Sequence, residues 1–198
     1  MRRVSWFLFG VCFVVFVAIV GGIIFVQRAR GFSARTEPSI IEIWTARKAR
    51  SMAIPAEAKL RINPIANGAE VLAEARAHWA DHCASCHANN GSGDTEMGKR
   101  LYPPAPDMRK AQTQQMSDGE LFYIIENGIR LSGMPGWGGS DHGEKDSWKL
   151  VHFIRHLPQL SFSEQKEMEK LNPKGPGELE EEIQEEQFLK GDDSHESN

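Results

Sequence analysis

Five consecutive residues, Cys83-Ala84-Ser85-Cys86-His87, constrain this 198-residue chain more than anything else in it. Two thiols with two residues between them can reach the vinyl groups along one porphyrin edge, and the imidazole after them is then delivered to one axial face of the iron. Covalent capture and axial ligation come as one unit. The motif occurs once, so the expected cofactor is a single, covalently bound haem c held by Cys83, Cys86 and His87. A zinc site with His78 or His82 as fourth ligand competes with this reading, but zinc ribbons and knuckles usually bring a second Cys or His pair, and none is present. The third cysteine, Cys12, lies inside a long apolar run. A redox disulfide between Cys83 and Cys86 is disfavoured by the adjacent histidine and by the lack of a strand-rich, thioredoxin-like pattern.

An iron held by one histidine has a sixth position to fill. Met134 is the best candidate, because Gly133-Met134-Pro135-Gly136-Trp137 is a loop whose glycines and proline fix an irregular backbone that can hold a thioether against a flat ring. Met97, Met108 and Met116 compete, and His142, His152 and His156 stand behind them. Methionine fills gaps in cores more often than it ligates iron.

Helical periodicity frames the motif. Val71, Leu72, Ala75 and Trp79 share one face of a helix from Gly68 to His82, with the motif at its end. Ser117 with Glu120 reads as a capping box, and Leu121, Phe122, Ile125 and Ile129 make a stripe that stops near Gly128. Trp148, Val151, Ile154 and Leu157 recur every third residue until Pro158 ends the run. No segment of this region alternates with period two, so the expected fold class is all-α, a helical domain wrapped around one covalent haem and preceded by a single transmembrane helix.

The haem motif at the end of a first helix, the proline-rich stretch Tyr102-Pro103-Pro104-Ala105-Pro106-Asp107-Met108, the loop Leu131-Ser132-Gly133-Met134-Pro135 and a closing helix with Trp148, Val151 and Phe153 resemble, in that order, the class I cytochrome c family. The likeness runs from about Gly68 to Leu160 and is nearest to short bacterial monohaem domains found alone or as subunits of membrane oxidoreductases. It implies that the Pro106 carbonyl accepts the other ring N–H of His87. It also implies electron transfer, with no enzymatic reaction of its own. With His87 and Met134 both on the iron, no position is open to oxygen or peroxide, and a soft thioether raises the potential. A haem sensor or small peroxidase-like enzyme with a displaceable sixth ligand is the alternative. Trp79, Phe122, Tyr123, Ile125, Trp148 and Phe153 are expected around the porphyrin, and Arg130, Trp137 or Tyr102 near its propionates.

Residues 1–30 contain an uncharged run from Val4 to Val26, about 35 Å long as a helix and enough to span a bilayer. It is read as an uncleaved signal anchor, with a cleaved signal peptide as the alternative. Arg28, Arg30 and Arg35 after the span oppose translocation of the C-terminal part of the chain. The resemblance decides otherwise, since thioethers form in that family on the outer face of the bacterial cytoplasmic membrane, which places the haem domain on the periplasmic side. Residues 31–66 are expected to be a basic juxtamembrane stalk, 67–160 the cytochrome domain and 161–198 an acidic, largely disordered tail. Up to Ile65 there are 10 basic residues against 3 acidic ones; beyond Leu160 there are 4 against 12. Arg47, Lys48 and Arg50 beside Ile40, Ile41, Ile43 and Trp44 suit a helix on anionic headgroups, or equally one that is solvated or packed on a partner subunit. The expected partners are redox proteins or a membrane oxidoreductase complex, and the lipid bilayer through the N-terminal helix. No basic and aromatic pattern points to nucleic acid.

Overall fold

Three serines start helices by one device. Ser39, Ser117 and Ser161 stand in extended backbone and accept from the amide three residues on, while Glu42, Glu120 and Glu164 at that third position accept from the serine amides. Only the box at Ser117 is expected from the sequence; the other two carry the same signature. The computed structural model describes residues 2–28, 33, 36–139 and 143–189, and among them there is no strand.

The chain divides into two units, residues 1–37 and 38–198. The first holds α1 (Arg2–Arg28), whose Ser5–Arg28 portion is long and apolar enough to cross a membrane, a test that an N-terminal signal sequence also meets. The second holds α2 (Ile40–Ala53), α3 (Ala56–Lys59), α4 (Ala69–His78), a π turn (Trp79–Cys83), α5 (Ala84–His87), α6 (Glu96–Arg100), α7 (Ala111–Gln114), α8 (Asp118–Asn127), α9 (Glu144–His156) ending in a 3-10 turn, α10 (Phe162–Glu169) and α11 (Pro176–Leu189). The core lies where α4 and its π turn meet α9, with α8 closing one side. All four residues of the closing stripe, Trp148, Val151, Ile154 and Leu157, are buried, and so are Ala75, Trp79, Leu121, Phe122 and Ile125. Phe122 and Trp148 stack at 4.1 Å, with the Arg61 guanidinium 4.4 Å from the Phe122 centroid. Arg155 ties α9 to the start of α8, donating to Asp118 Oδ1 (2.8 Å), to the Gln114 carbonyl (2.7 Å) and to that of Met116.

From residue 38 onward the expected stalk is part of this unit. Ile54 and Ala58 are buried, Ser117 Oγ donates to the Lys59 carbonyl (2.8 Å), Asn63 Nδ2 donates to the Trp148 carbonyl (2.9 Å) and His152 pairs with the Ile65 carbonyl (2.7 Å). The α3 backbone sits so close to α8 that a Cβ on Gly119 would lie 1.9 Å from the Ala58 carbonyl oxygen. Glycine at 119 is what permits this contact.

The tail also departs from expectation. Beyond Leu160, α10 packs on the domain with Met168 fully buried, and Arg76 bridges from α4 to Glu164 (3.5 Å) and Glu167 (2.9 Å). α11 is helical and exposed where its side chains are described, and residues 190–198 lie outside the described residues. An acidic average over 38 residues hid a capped helix with one apolar plug. Met168→Ala is expected to cost about 2–5 kcal/mol, read from urea unfolding. Burial pushes the Glu164 carboxyl up, but the Ser161 hydroxyl and amide and the His156 ring outweigh it and hold the group at about 2, against an ordinary 4.5. The folded value being the lower, this contribution is complete above pH 4.5 and fades as the pH falls towards 2. Amide protection of residues 162–169 should drop over that window in the native chain and stay level in Glu164→Gln.

Candidate functional site

The motif is presented by a change of helical winding. α4 passes into the π turn, which takes one extra residue per hydrogen-bonded ring and buries Trp79 and Ala80 before Cys83. α5 then carries the rest of the motif to His87 and stops at Ala88, whose amide donates to the Ala84 carbonyl (2.8 Å). Trp79 Nε1 donates to the Ala88 carbonyl (3.0 Å), and its ring lies 5.7 Å from the His87 ring. Thr95 Oγ1 donates to the Cys86 carbonyl (3.3 Å), and α6 comes close enough that a Cβ on Gly98 would stand 2.2 Å from that oxygen.

Across from the motif, α8 ends at Gly128, whose φ of 67° turns the chain into the Met134 loop. The Ile129 amide donates to the Met134 carbonyl (3.1 Å), the Met134 amide to Ser132 Oγ (3.1 Å), and the Trp137 amide to the Ile125 carbonyl (3.0 Å). The loop is thus closed on itself and stitched at its far end to α8. Ala88 (φ 61°) and Leu131 (φ 62°) are the non-glycine residues with left-handed φ among the described residues. One comes directly after His87 and the other stands three residues before Met134, which places local backbone strain beside both candidate ligands.

One apolar cavity joins the two sides. Trp79, Cys83 and His87 line it from the motif, Met134 and Trp137 from the loop, and Met108, Ile125, Leu150 and Ile154 fill in between. Of the expected surrounding residues, Trp79 and Ile125 reach the cavity. Phe122 and Trp148 stack together instead, and Phe153 backs Trp79 at 5.4 Å. Sequence periodicity missed Leu150, although Leu150 and Ile154 are spaced as one helical face. Trp137 lies at the cavity, Tyr102 hydroxyl donates to Glu42 (2.9 Å), and Arg130 is exposed.

The competing methionines separate by place. Met97 is exposed, Met116 lines a different cleft under α2, and Met108 reaches the cavity but also packs against the core cluster. Met134 lines the cavity from a half-buried loop outside that cluster. His152 and His156 are engaged by the Ile65 carbonyl and Glu164, and His142 lies outside the described residues.

Electrostatics favour neutral groups here. Burial, with Cys86 nearby, pushes the Cys83 thiol up to about 12, and burial lowers the His87 imidazole. No three His, Cys, Asp or Glu groups converge on a metal position among the described residues, so the four-ligand set of a structural zinc site is not assembled there. Cys83 and Cys86 are free thiols. The expected bond from His87 to the Pro106 carbonyl is not formed: His87 Nδ1 is buried without a hydrogen-bond partner, and the Pro106 carbonyl sits beside Gly93, 3.2 Å from where a Cβ there would lie. The 105–106 backbone lies so close to the left-handed Gly93 (φ 72°) that a Cβ there would meet it. These residues fit a haem c: the Cys83 thiol, a neutral buried imidazole and a thioether line one apolar cavity, and the free Cys86 thiol lies near Cys83 outside that lining.

Residues 70–154 match the profile of the family described as cytochrome C oxidase, cbb3-type, subunit III. A comparison with curated proteins finds no match. The matched span runs from α4 into α9 and takes in the motif, the cavity and the Met134 loop. The segment that builds this cavity therefore belongs to the class I c-type cytochromes, a haem-binding electron-transfer domain preceded in the chain by an apolar helix of membrane-spanning length.

Proposed function

We propose that the chain carries one haem c joined through Cys83 and Cys86, with His87 and Met134 as axial ligands, and that it works as a membrane-tethered single-electron carrier on the periplasmic side of a bacterial cytoplasmic membrane. The observation that carries this reading is the shared cavity of Cys83, His87 and Met134. Haem bound there supplies a reversible one-electron couple. The protein's part is to hold its ligands. His87 enters on a short helix whose carbonyls are tied down by Thr95 and Gly93, and Met134 enters on a loop pinned to α8, so neither has to move when charge on the iron changes. Trp79, Ile125, Leu150 and Ile154 exclude water from between them.

The matched family is described as a subunit of an oxidase, which supports a relay role beside membrane partners over a freely diffusing carrier. A tether raises the effective concentration of the domain at such partners. The reading is tested by maturing the full chain in a bacterial host competent for cytochrome c assembly, then extracting with acid and organic solvent. Haem that stays with the polypeptide supports it; complete extraction defeats it. A reporter fused after Leu160 that is active only in the cytoplasm would overturn the periplasmic placement.

A further inference from the structure

We propose that α2 is an interfacial helix that docks on the anionic phospholipid surface next to the anchor, and so sets the orientation of the cytochrome domain on the membrane. This rests on the membrane-tethered reading above and adds a second, headgroup-specific contact to it.

Four large apolar residues of α2, Ile40, Ile41, Trp44 and Met52, are between 63% and 85% exposed. At 3.6 residues per turn they fall with Lys48 in one arc of about 120°. Trp44 and Lys48 border a cleft shared with Gln112, Met116 and Glu120 of the same unit, while Ile40, Ile41 and Met52 stand in solvent; the other side of the helix is engaged through Glu42, which takes the Ser39 amide and the Tyr102 hydroxyl. An exposed apolar stripe on a helix whose other side is held cannot be buried by turning the helix over.

Charge selects the occupant. Arg47, Lys48 and Arg50 line a cleft of about 350 Å³ between α2 and the domain, whose other wall is Ile54, Gln112, Met116 and Glu120. Their side chains make no hydrogen bond or close ion pair among the described residues. Glu120, the acidic member, already accepts from the Ser117 amide and faces Lys59 at 3.9 Å. Arg50 is half-buried and interacts with Glu120, so the cleft offers two exposed cations, Arg47 and Lys48, beside exposed aliphatic and indole groups, which suits phosphate headgroups above and acyl chains below. Only the eleven residues 29–39 separate α1 from α2, and they span at most about 36–40 Å. A membrane is thus always within reach of this face.

Docking would be transmitted. Ile54 and Ala58, directly after α2, are buried in the domain, and Glu42 holds Tyr102 of the proline-rich loop. A membrane-seated α2 thereby fixes which way the haem cavity faces.

The test is amide hydrogen exchange on the full-length holoprotein in lipid nanodiscs, either of phosphatidylcholine alone or of phosphatidylcholine and phosphatidylglycerol in equal parts. Exchange across residues 40–53 should be about fivefold or more slower in the anionic discs. Raised salt should erase the difference. The double variant Arg47→Glu, Lys48→Glu and the separate variant Ile41→Ser each alter only exposed side chains and should both lose the slowing. Equal exchange in the two discs, with residues 5–28 protected in both, overturns the docking and leaves the tether standing. Equal slowing in both discs that survives the charge reversal assigns the face to a protein neighbour and also overturns the proposal. A chain that does not enter discs at all defeats tether and docking together.

Discussion

Serine at both 83 and 86 should leave little folded cytochrome domain. The core cluster of the unit includes Trp79, Leu150 and Ile154, which also line the cavity beside the motif, so a group held there is packed against the core itself. The Met134 loop, the Leu150 and Ile154 edge of α9 and the His87 ring with its unpaired Nδ1 all meet at the cavity where the proposed haem would sit. A group bound only by the folded state stabilises it in proportion to its retention, and covalent bonds make that retention complete. The double variant should therefore lose most of the about 5–15 kcal/mol available to a domain of this kind. It would show reduced far-ultraviolet helicity, rapid proteolysis between 69 and 160, and no haem after solvent extraction. Cys12→Ser is the matched control and should change none of these, because Cys12 is exposed on α1, far in sequence from the motif. A well-folded, haem-free double variant would count decisively against the haem as part of the core.

Much of this architecture is written in local patterns, and where it is not, the reason is physical. The start and end of α8 follow from Ser117, Glu120 and Gly128, each of which acts on its own backbone neighbourhood. The inward face of α9 follows from a stripe in which every member is buried. The π turn leaves no such trace, since shifting one hydrogen bond by a residue needs no particular side chain. The bond expected of Pro106 is not seen, His87 Nδ1 being buried without a hydrogen-bond partner, because a proline's place in the sequence does not fix the direction of its carbonyl.

The segments on either side of the cytochrome domain teach a related lesson. Composition assigned 31–66 to a stalk and 161–198 to a disordered tail, yet Ile54, Ala58 and Met168 are buried. A single apolar residue contributes little to a windowed average but decides where a segment packs. Its partner is also invisible beforehand: the seat for α3 exists because Gly119 has no side chain, a fact that gains meaning only once the two backbones are placed together. The site was more legible than the frame because Cys83, Cys86 and His87 are bound to one another by chemistry within five residues, whereas Met134 was singled out by its loop and joined to them only through the cavity.

Met134→Ala should open one axial position while leaving the loop in place. The bonds that shape residues 129–137 run through backbone amides and carbonyls and through Ser132 Oγ, none of which involves the thioether. The variant should therefore fold, lose the long-wavelength ferric absorbance band that marks methionine ligation, and bind cyanide or carbon monoxide, which the native protein should resist. Its reduction potential should fall by on the order of 0.1 V, a modest part of the about 0.8 V that axial ligands command, because loss of a soft sulfur ligand favours ferric iron. Met108→Ala supplies the contrast. Met108 reaches the same cavity but packs, partly buried, against the core, so its loss should cost about 0.5–3 kcal/mol of stability and leave the band and potential nearly unchanged. The two variants thus exchange roles, one spectroscopic and one structural. If Met108→Ala abolishes the band and Met134→Ala preserves it, the sixth ligand comes from the proline-rich side of the cavity, and the strained turn at Leu131 serves packing alone.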